Sequence, residues 1–234
     1  MILTVLRPSY FMPIADSARV QLSDIVVLAE THQFSKQETI NRMAIKTITG
    51  KSWLTVPVVR GERFGQSIAA ARIDARQPWQ KNHLRALEFN YRNTPYYYWH
   101  ADGVAGVLSN AGESLNQLLL ACSRLLFSAL DVRARLVGSS ALDHQITDRT
   151  ERALSWLAAS GCDTYLLPRE ELALLDQQRL RRNGIRVLAP ACHPQTYHQS
   201  YGVFVPGLSS LDLLFNEGPD APAILDKHYT SIKG

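Results

Sequence analysis

Three polar stretches of this chain hold the residue types that move protons and hold charge. The first is Glu30-Thr31-His32-Gln33-Phe34-Ser35-Lys36-Gln37-Glu38-Thr39-Ile40-Asn41-Arg42, and packing alone does not require such a density of hydrogen-bonding groups. His32 suits general-base work, Lys36 and Arg42 suit neutralising a phosphate or carboxylate, and Asn41 suits fixing a carbonyl or hydroxyl. A single histidine beyond a strand is more often structural, so His32 stands out through its company. The second stretch, Arg7-Pro8-Ser9-Tyr10-Phe11-Met12-Pro13, offers Arg7, Ser9 and Tyr10 in a turn that two prolines stiffen. The third, His193-Pro194-Gln195-Thr196-Tyr197-His198-Gln199-Ser200-Tyr201, suits proton transfer or stacking on a flat ligand. Its composition equally describes an ordinary tyrosine-rich loop.

A fourth feature is apolar with two polar exceptions. A helix starting near Ser209 puts Asp212 and Asn216 one turn apart on one face, among Leu211, Leu213, Leu214 and Phe215. Burying that pair without partners is costly. Either a satisfied structural network holds them, or they face a cleft. His83 and Asn90 pose the same question at the margin of an amphipathic helix whose apolar side carries Trp79, Leu84, Leu87 and Tyr91.

Composition narrows the function classes. With 25 Lys plus Arg against 21 Asp plus Glu the formal charge is +4, and most basic residues are scattered. The densest run, Arg179 to Arg182, has no interleaved aromatic residue and reads as the solvated end of a helix, so a nucleic-acid platform is not expected. Cys122, Cys162 and Cys192 are far apart with no CxxC pair, which argues against zinc and against a disulfide framework. No leader pattern and no apolar run of spanning length is present, so no membrane span and a cytoplasmic location are expected. Neither GxGxxG nor GxxxxGK[ST] occurs, and no cofactor is expected, although arginines and lysines can still build a phosphate site. No GxSxG elbow is present, and adjacent Cys192 and His193 point to opposite sides of an extended chain.

Elements that position these residues follow from the apolar pattern. Met1 to Leu6 and Asp24 to Ala29 read as strands buried on both faces, with a helix over Ala15 to Leu22 between them. Trp53 to Val58 reads as a strand whose Pro57 marks an edge or end. Helices are expected over Gln77 to Arg92 and Leu115 to Leu130. After that, strand and helix alternate: Arg135 to Gly138, Asp148 to Ser160, Thr164 to Leu167, Arg169 to Asn183 and Ile185 to Ala189. Gly161 and Gly184 close the two helices. The expected fold is α/β, a single domain over 1–234 with a mostly parallel, doubly wound, Rossmann-like sheet and helices on both faces. Ligands of such sheets collect beyond the carboxyl ends of the strands, where Arg7 to Pro13, Glu30 to Asn41, Pro168-Arg169 and His193 to Tyr201 lie.

In combination these stretches resemble the bacterial WbqC-like family. The resemblance rests on Arg7 to Phe11, Asp24 to Lys36 with Gln33-Phe34-Ser35-Lys36, Asn41-Arg42, Trp53-Leu54-Thr55-Val56-Pro57 and Trp79. It continues through His83 to Tyr91, Pro95-Tyr96, Ser139-Ser140, Gly161 to Leu166, Asn183-Gly184-Ile185, His193-Pro194 and the Gly202 to Pro219 cassette. It implies acyl or aminoacyl transfer to an amine in polysaccharide, O-antigen or specialised-metabolite assembly. The catalytic candidates are Asn41, His193 and Asp212, which match the family pattern, and His32, which the residues alone single out. Substrate binding falls to Arg7, Tyr10, Gln33, Lys36, Arg42, His83, Asn90, Tyr197 and Asn216, with no metal. The implied partner is a small molecule, such as a nucleotide-linked sugar, or an acyl carrier protein. Two alternatives stay open: cyclisation or hydrolysis of a carrier-bound thioester, and non-catalytic binding of a nucleotide, sugar or carrier.

The chain departs from the family pattern at Arg7 in place of Gln, at Met12 to Ser17, at Glu30-Thr31-His32 in place of a pair of Asp and an apolar residue, at Gln37 to Thr39, at Met43-Ala44 in place of Asn-Arg and at Leu167-Pro168-Arg169. These positions stay largely polar, which favours a changed substrate over lost activity.

Overall fold

The computed structural model describes residues 1–35, 38–59, 65–142 and 146–229. The chain opens with β1 (Ile2–Leu6), α1 (Ile14–Gln21) and β2 (Ile25–Leu28), then folds β3 (Arg42–Thr47) and β4 (Gly50–Thr55) into a hairpin. Helices α2 (Trp79–Tyr91), α3 (Tyr97–Ser109) and α4 (Leu115–Ala129) follow. Strand and helix then alternate through β5 (Arg135–Gly138), α5 (Arg149–Ser160), β6 (Thr164–Leu166), α6 (Gln177–Arg182) and β7 (Arg186–Leu188). The chain closes with α7 (Ser210–Glu217) and α8 (Ala221–Leu225).

The main sheet has five strands in the order β5-β2-β1-β6-β7, with parallel pairing throughout, and β3-β4 form a separate antiparallel sheet. The fold is therefore α/β with a mostly parallel sheet. β1 lies in the middle because it is apolar on both faces, and so does its neighbour β2, all four of whose residues are buried. Alternation divides their side chains between two cores. Leu3, Ile25, Val27, Tyr165 and Leu167 meet Ala153, Trp156 and Leu157 of α5 on one face. Leu6, Val26 and Leu28 belong to the larger core with α1, α2, α3, α4 and α7. Thr4 is the polar exception, and its hydroxyl donates to the Leu166 carbonyl at 2.8 Å.

The strand expected over Trp53 to Val58 forms at Gly50–Thr55 as β4, and α8 was not expected; three further elements differ for identifiable reasons. The helix expected over Arg169 to Asn183 is broken into a 3-10 turn at Arg169–Leu174 and the short α6. Asp176 makes the break by capping α6, its carboxylate accepting from the Arg179 amide at 2.9 Å. Leu172 and Leu175, three residues apart, pack against the α5-side core at a spacing that suits the 3-10 repeat. α3 was not expected because Gly103 and Gly106 weaken its helical pattern, yet Tyr97, Val104 and Leu108 bury one side of it. β3 was hidden by Lys46, a fully buried lysine after the apolar run Met43-Ala44-Ile45. Among the described residues no helix is long and apolar enough to cross a membrane.

Candidate functional site

A cleft of about 800 Å³ opens beyond the carboxyl ends of β1, β2 and β6. The β1 exit contributes Arg7, the β2 exit His32 and Gln33, and the 3-10 turn after β6 contributes Glu170 and Glu171. Arg149, Arg152 and Trp156 reach the cleft from the first two turns of α5. Chain direction explains the convergence: in a parallel sheet every strand exit lies at one edge, and the helix that follows begins there.

Local contacts hold these groups in place. Arg7 forms an ion pair with Glu38 across the mouth. The turn after β1 is tight, since the buried Phe11 has φ 45°, and Ser209 Oγ holds its carbonyl at 2.8 Å. The β2 exit is fastened to the β5 exit. Thr31 Oγ1 lies 3.0 Å from Ser139 Oγ, and the buried Glu30 carboxylate accepts from the Ser140 hydroxyl and, at 3.3 Å, from the Ser140 amide. His32 is thereby presented to Trp156, with ring centroids 6.4 Å apart and an interplanar angle of 31°. Arg152 spreads over the Trp156 ring at 5.6 Å. Asp148 caps α5 by accepting from the Glu151 amide at 2.7 Å. The Glu171 carboxyl is raised by desolvation, an effect opposed by the charges of Arg19, Arg7 and Arg149.

Asp212 lies elsewhere, at the centre of a buried network. Its carboxylate accepts from the Tyr91 hydroxyl at 2.7 Å, the Tyr197 hydroxyl at 2.6 Å and Gln199 Nε2 at 3.2 Å. Gln199 Oε1 in turn accepts from Lys46 Nζ at 3.1 Å, and the ammonium also donates to the Val203 carbonyl at 2.6 Å. Asn216 donates to the Asp212 carbonyl at 2.7 Å. Burial raises the Asp212 carboxyl, while the two tyrosines, Lys46 and Gln199 pull it back down. Tyr197 is driven upward by desolvation and then by the Asp212 charge. The network ties α7, α2, β3 and the 197–205 segment into one unit. The Asp212 carboxylate is fully engaged, whereas Asn216 Oδ1 is buried with no hydrogen-bond partner among the described residues.

The other sequence-selected residues are dispersed. Tyr10 and His83 are buried together with Trp79, and the Tyr10 hydroxyl lies 2.9 Å from His83 Nδ1. Desolvation pushes His83 down to about 4, against a hydrogen bond to the Thr55 backbone. Asn41 is buried where the hairpin begins, and its amide donates to the Val56 carbonyl at 2.7 Å. Arg42 stacks over Trp53 at 4.3 Å. Asn90 donates back to Ala86 within α2, and its carbonyl accepts from Tyr201 at 3.2 Å. His193 is exposed, and its amide donates to the His228 carbonyl at 2.6 Å. Lys36 lies outside the described residues. Thus the cleft gathers Arg7, His32 and Gln33, whereas Tyr197, Asp212 and Asn216 share the buried network. Among the described residues no group of three or more His, Cys, Asp or Glu is placed to hold a metal.

Sequence reasoning missed Arg149, Arg152, Trp156, Glu170 and Glu171 as cleft residues. A signal did exist: Arg149, Arg152 and Trp156 follow the Asp148 cap at spacings of three and four, which puts them on one helix face.

Fold and cleft define an α/β protein with a polar cavity at the carboxyl edge of a parallel sheet. The chain belongs to the WbqC-like protein family, which matches over residues 8–224. It is similar to an uncharacterized protein of Mycobacterium tuberculosis (strain ATCC 25618 / H37Rv), Rv1507c. The identity is 33% over 205 residues, 86% of this chain and 87% of that one. No solved structure matches it significantly.

Proposed function

We propose that the cleft binds a small polar substrate and that the protein transfers an acyl or aminoacyl group to an amine there, with His32 as the base. In this reading the amine nitrogen attacks the acyl carbonyl, His32 accepts the proton that the nitrogen loses, and the carrier departs as a thiolate or phosphate. Arg7 and Gln33 orient the donor. Asn41 and Asp212 act at a distance, by fixing the hairpin and α7 on which the loops rest.

The observation that carries the reading is the meeting of His32 with guanidinium and carboxylate groups in one cleft beyond the strand ends. The doubly wound, Rossmann-like description of the sheet belongs to the same proposal. The chain passes from β1 to β2 on one side and reaches β6 on the other, and this reversal of direction supports a ligand crevice at the β1 exit.

The test is to incubate the purified protein with acyl thioesters and candidate amines and to follow product mass. Wild-type protein is expected to form an amide, and His32→Ala to lose about 10²-fold or more in rate. Equal turnover by His32→Ala would remove the base assignment. Thioester loss without amide would replace transfer by hydrolysis.

A further inference from the structure

Charge around the cleft is balanced in number but not in pairing. Arg7, Arg149 and Arg152 face Glu38, Glu170 and Glu171. Among the described residues Arg7–Glu38 is the only ion pair formed between these six. Arg152 contacts the Ile146 carbonyl at 3.4 Å and the face of Trp156, and neither contact neutralises it. Glu171 feels Arg7, Arg19 and Arg149, yet closes on none of them. The two sets are held apart by their scaffolds: the arginines stand one turn apart on capped α5, and the glutamates stand on the 3-10 turn after β6.

Such a lining discriminates. A purely anionic ligand meets the carboxylates and a purely cationic one meets the guanidiniums, so each loses on one side what it gains on the other. A ligand carrying both charges engages both walls. Trp156, almost fully buried behind Arg152, forms the floor of the cleft.

We propose that the cleft takes a zwitterion, with Arg149 and Arg152 holding its carboxylate or phosphate and Glu170 and Glu171 holding its ammonium group. This rests on the cleft being the ligand site, as in the proposed function, but not on the reaction performed there. The ammonium gives its first proton to His32, the resulting amine attacks the acyl carbonyl, and the second proton leaves with the departing thiolate or phosphate.

The experiment is calorimetric titration of the full chain with the proteinogenic L-α-amino acids and O-phosphoethanolamine, beside inorganic phosphate and ethanolamine as half-ligands. At least one zwitterion is expected to bind more tightly than either half-ligand. Arg152→Gln and Glu171→Gln are each expected to weaken it by about tenfold to a hundredfold, the value of one charge-assisted contact. Phosphate should respond only to the arginine change, and ethanolamine only to the glutamate change. Arg149→Gln, at an exposed position, replaces Arg152→Gln if that variant fails to fold. The proposal is overturned if none of the zwitterions binds at millimolar concentration, if phosphate alone binds as well, or if Glu171→Gln leaves the affinity unchanged. Zwitterion binding without amide formation would keep this inference and remove the transferase. Amide formation with an amine KM unmoved by Glu171→Gln would do the reverse.

Discussion

Replacing Asp212 by asparagine keeps the shape of the buried network and removes its charge. Three donors converge on that carboxylate, two tyrosine hydroxyls and Gln199 Nε2. An asparagine offers one carbonyl oxygen and turns an NH₂ group toward at least one of these donors, leaving it unsatisfied at a cost of about 1–3 kcal/mol. Lys46 is 1% exposed, and its ammonium touches only neutral acceptors among the described residues, so Asp212 is its nearby counter-charge through Gln199. Loss of a buried counter-charge costs about 3–5 kcal/mol when the partner has no other compensation. Here the Gln199 and Val203 oxygens compensate part of it, so Asp212→Asn is expected to cost about 3 kcal/mol in total. For a chain of this size that corresponds to a fall in Tm of about 6–12 °C. Thermal and urea unfolding of wild type, Asp212→Asn, Lys46→Met and the double variant form a cycle, with a favourable coupling of about 1 kcal/mol or more expected. A melting temperature within about 2 °C of wild type, or strict additivity in the cycle, would refute the reasoning.

Two further predictions concern stability. His83 is 5% exposed and pushed down to about 4, so the folded protein keeps the ring neutral while the unfolded chain protonates near 6.5. Its contribution is therefore present above pH 6.5 and lost as pH falls from there through about 4, some 3 kcal/mol in all. Urea midpoints across that range should lose this slope in His83→Gln, and an unchanged slope would contradict the assignment. At Gly138 an added methyl group would lie 2.6 Å from the Glu30 carboxylate. Gly138→Ala is thus expected to cost about 1–3 kcal/mol, a cost relieved by adding Glu30→Ala, and a neutral Gly138→Ala would show that the β2 exit yields easily.

Legibility in the sequence followed how local each signal was. The strands β1 and β2 are short apolar runs and the helices α4 and α5 carry strong periodicity or a capping residue, so each could be recognised from its own segment. α3 and β3 take their stability from tertiary burial that overrides two glycines in one case and a lysine in the other, and neither effect is local. The site shows the same division. Arg7, His32 and Gln33 follow strands directly, and the rule that ligands gather at strand exits points to them. Arg149 and Glu171 reach the same cleft only because β5, β2, β1 and β6 are neighbours, an order that no single segment encodes. Asp212 was visible as an anomaly in an apolar helix, but Tyr91 and Gln199, which contact it, and Lys46, which reaches it through Gln199, come from three other segments. Composition alone therefore left network and cleft undecided.

The central claim is that ligand enters between the β1 and β2 exits and α5, and Trp156 is a natural reporter of that event. The chain has 4 tryptophans, whose indole N–H resonances can be assigned through single Trp→Phe variants. Titration of nitrogen-15-labelled protein with the zwitterion or amine that binds should shift the Trp156 indole signal, and leave those of Trp53, Trp79 and Trp99 in place. A shift confined to Trp53, Trp79 or Trp99, with Trp156 unmoved at saturation, would place the ligand elsewhere and contradict the account.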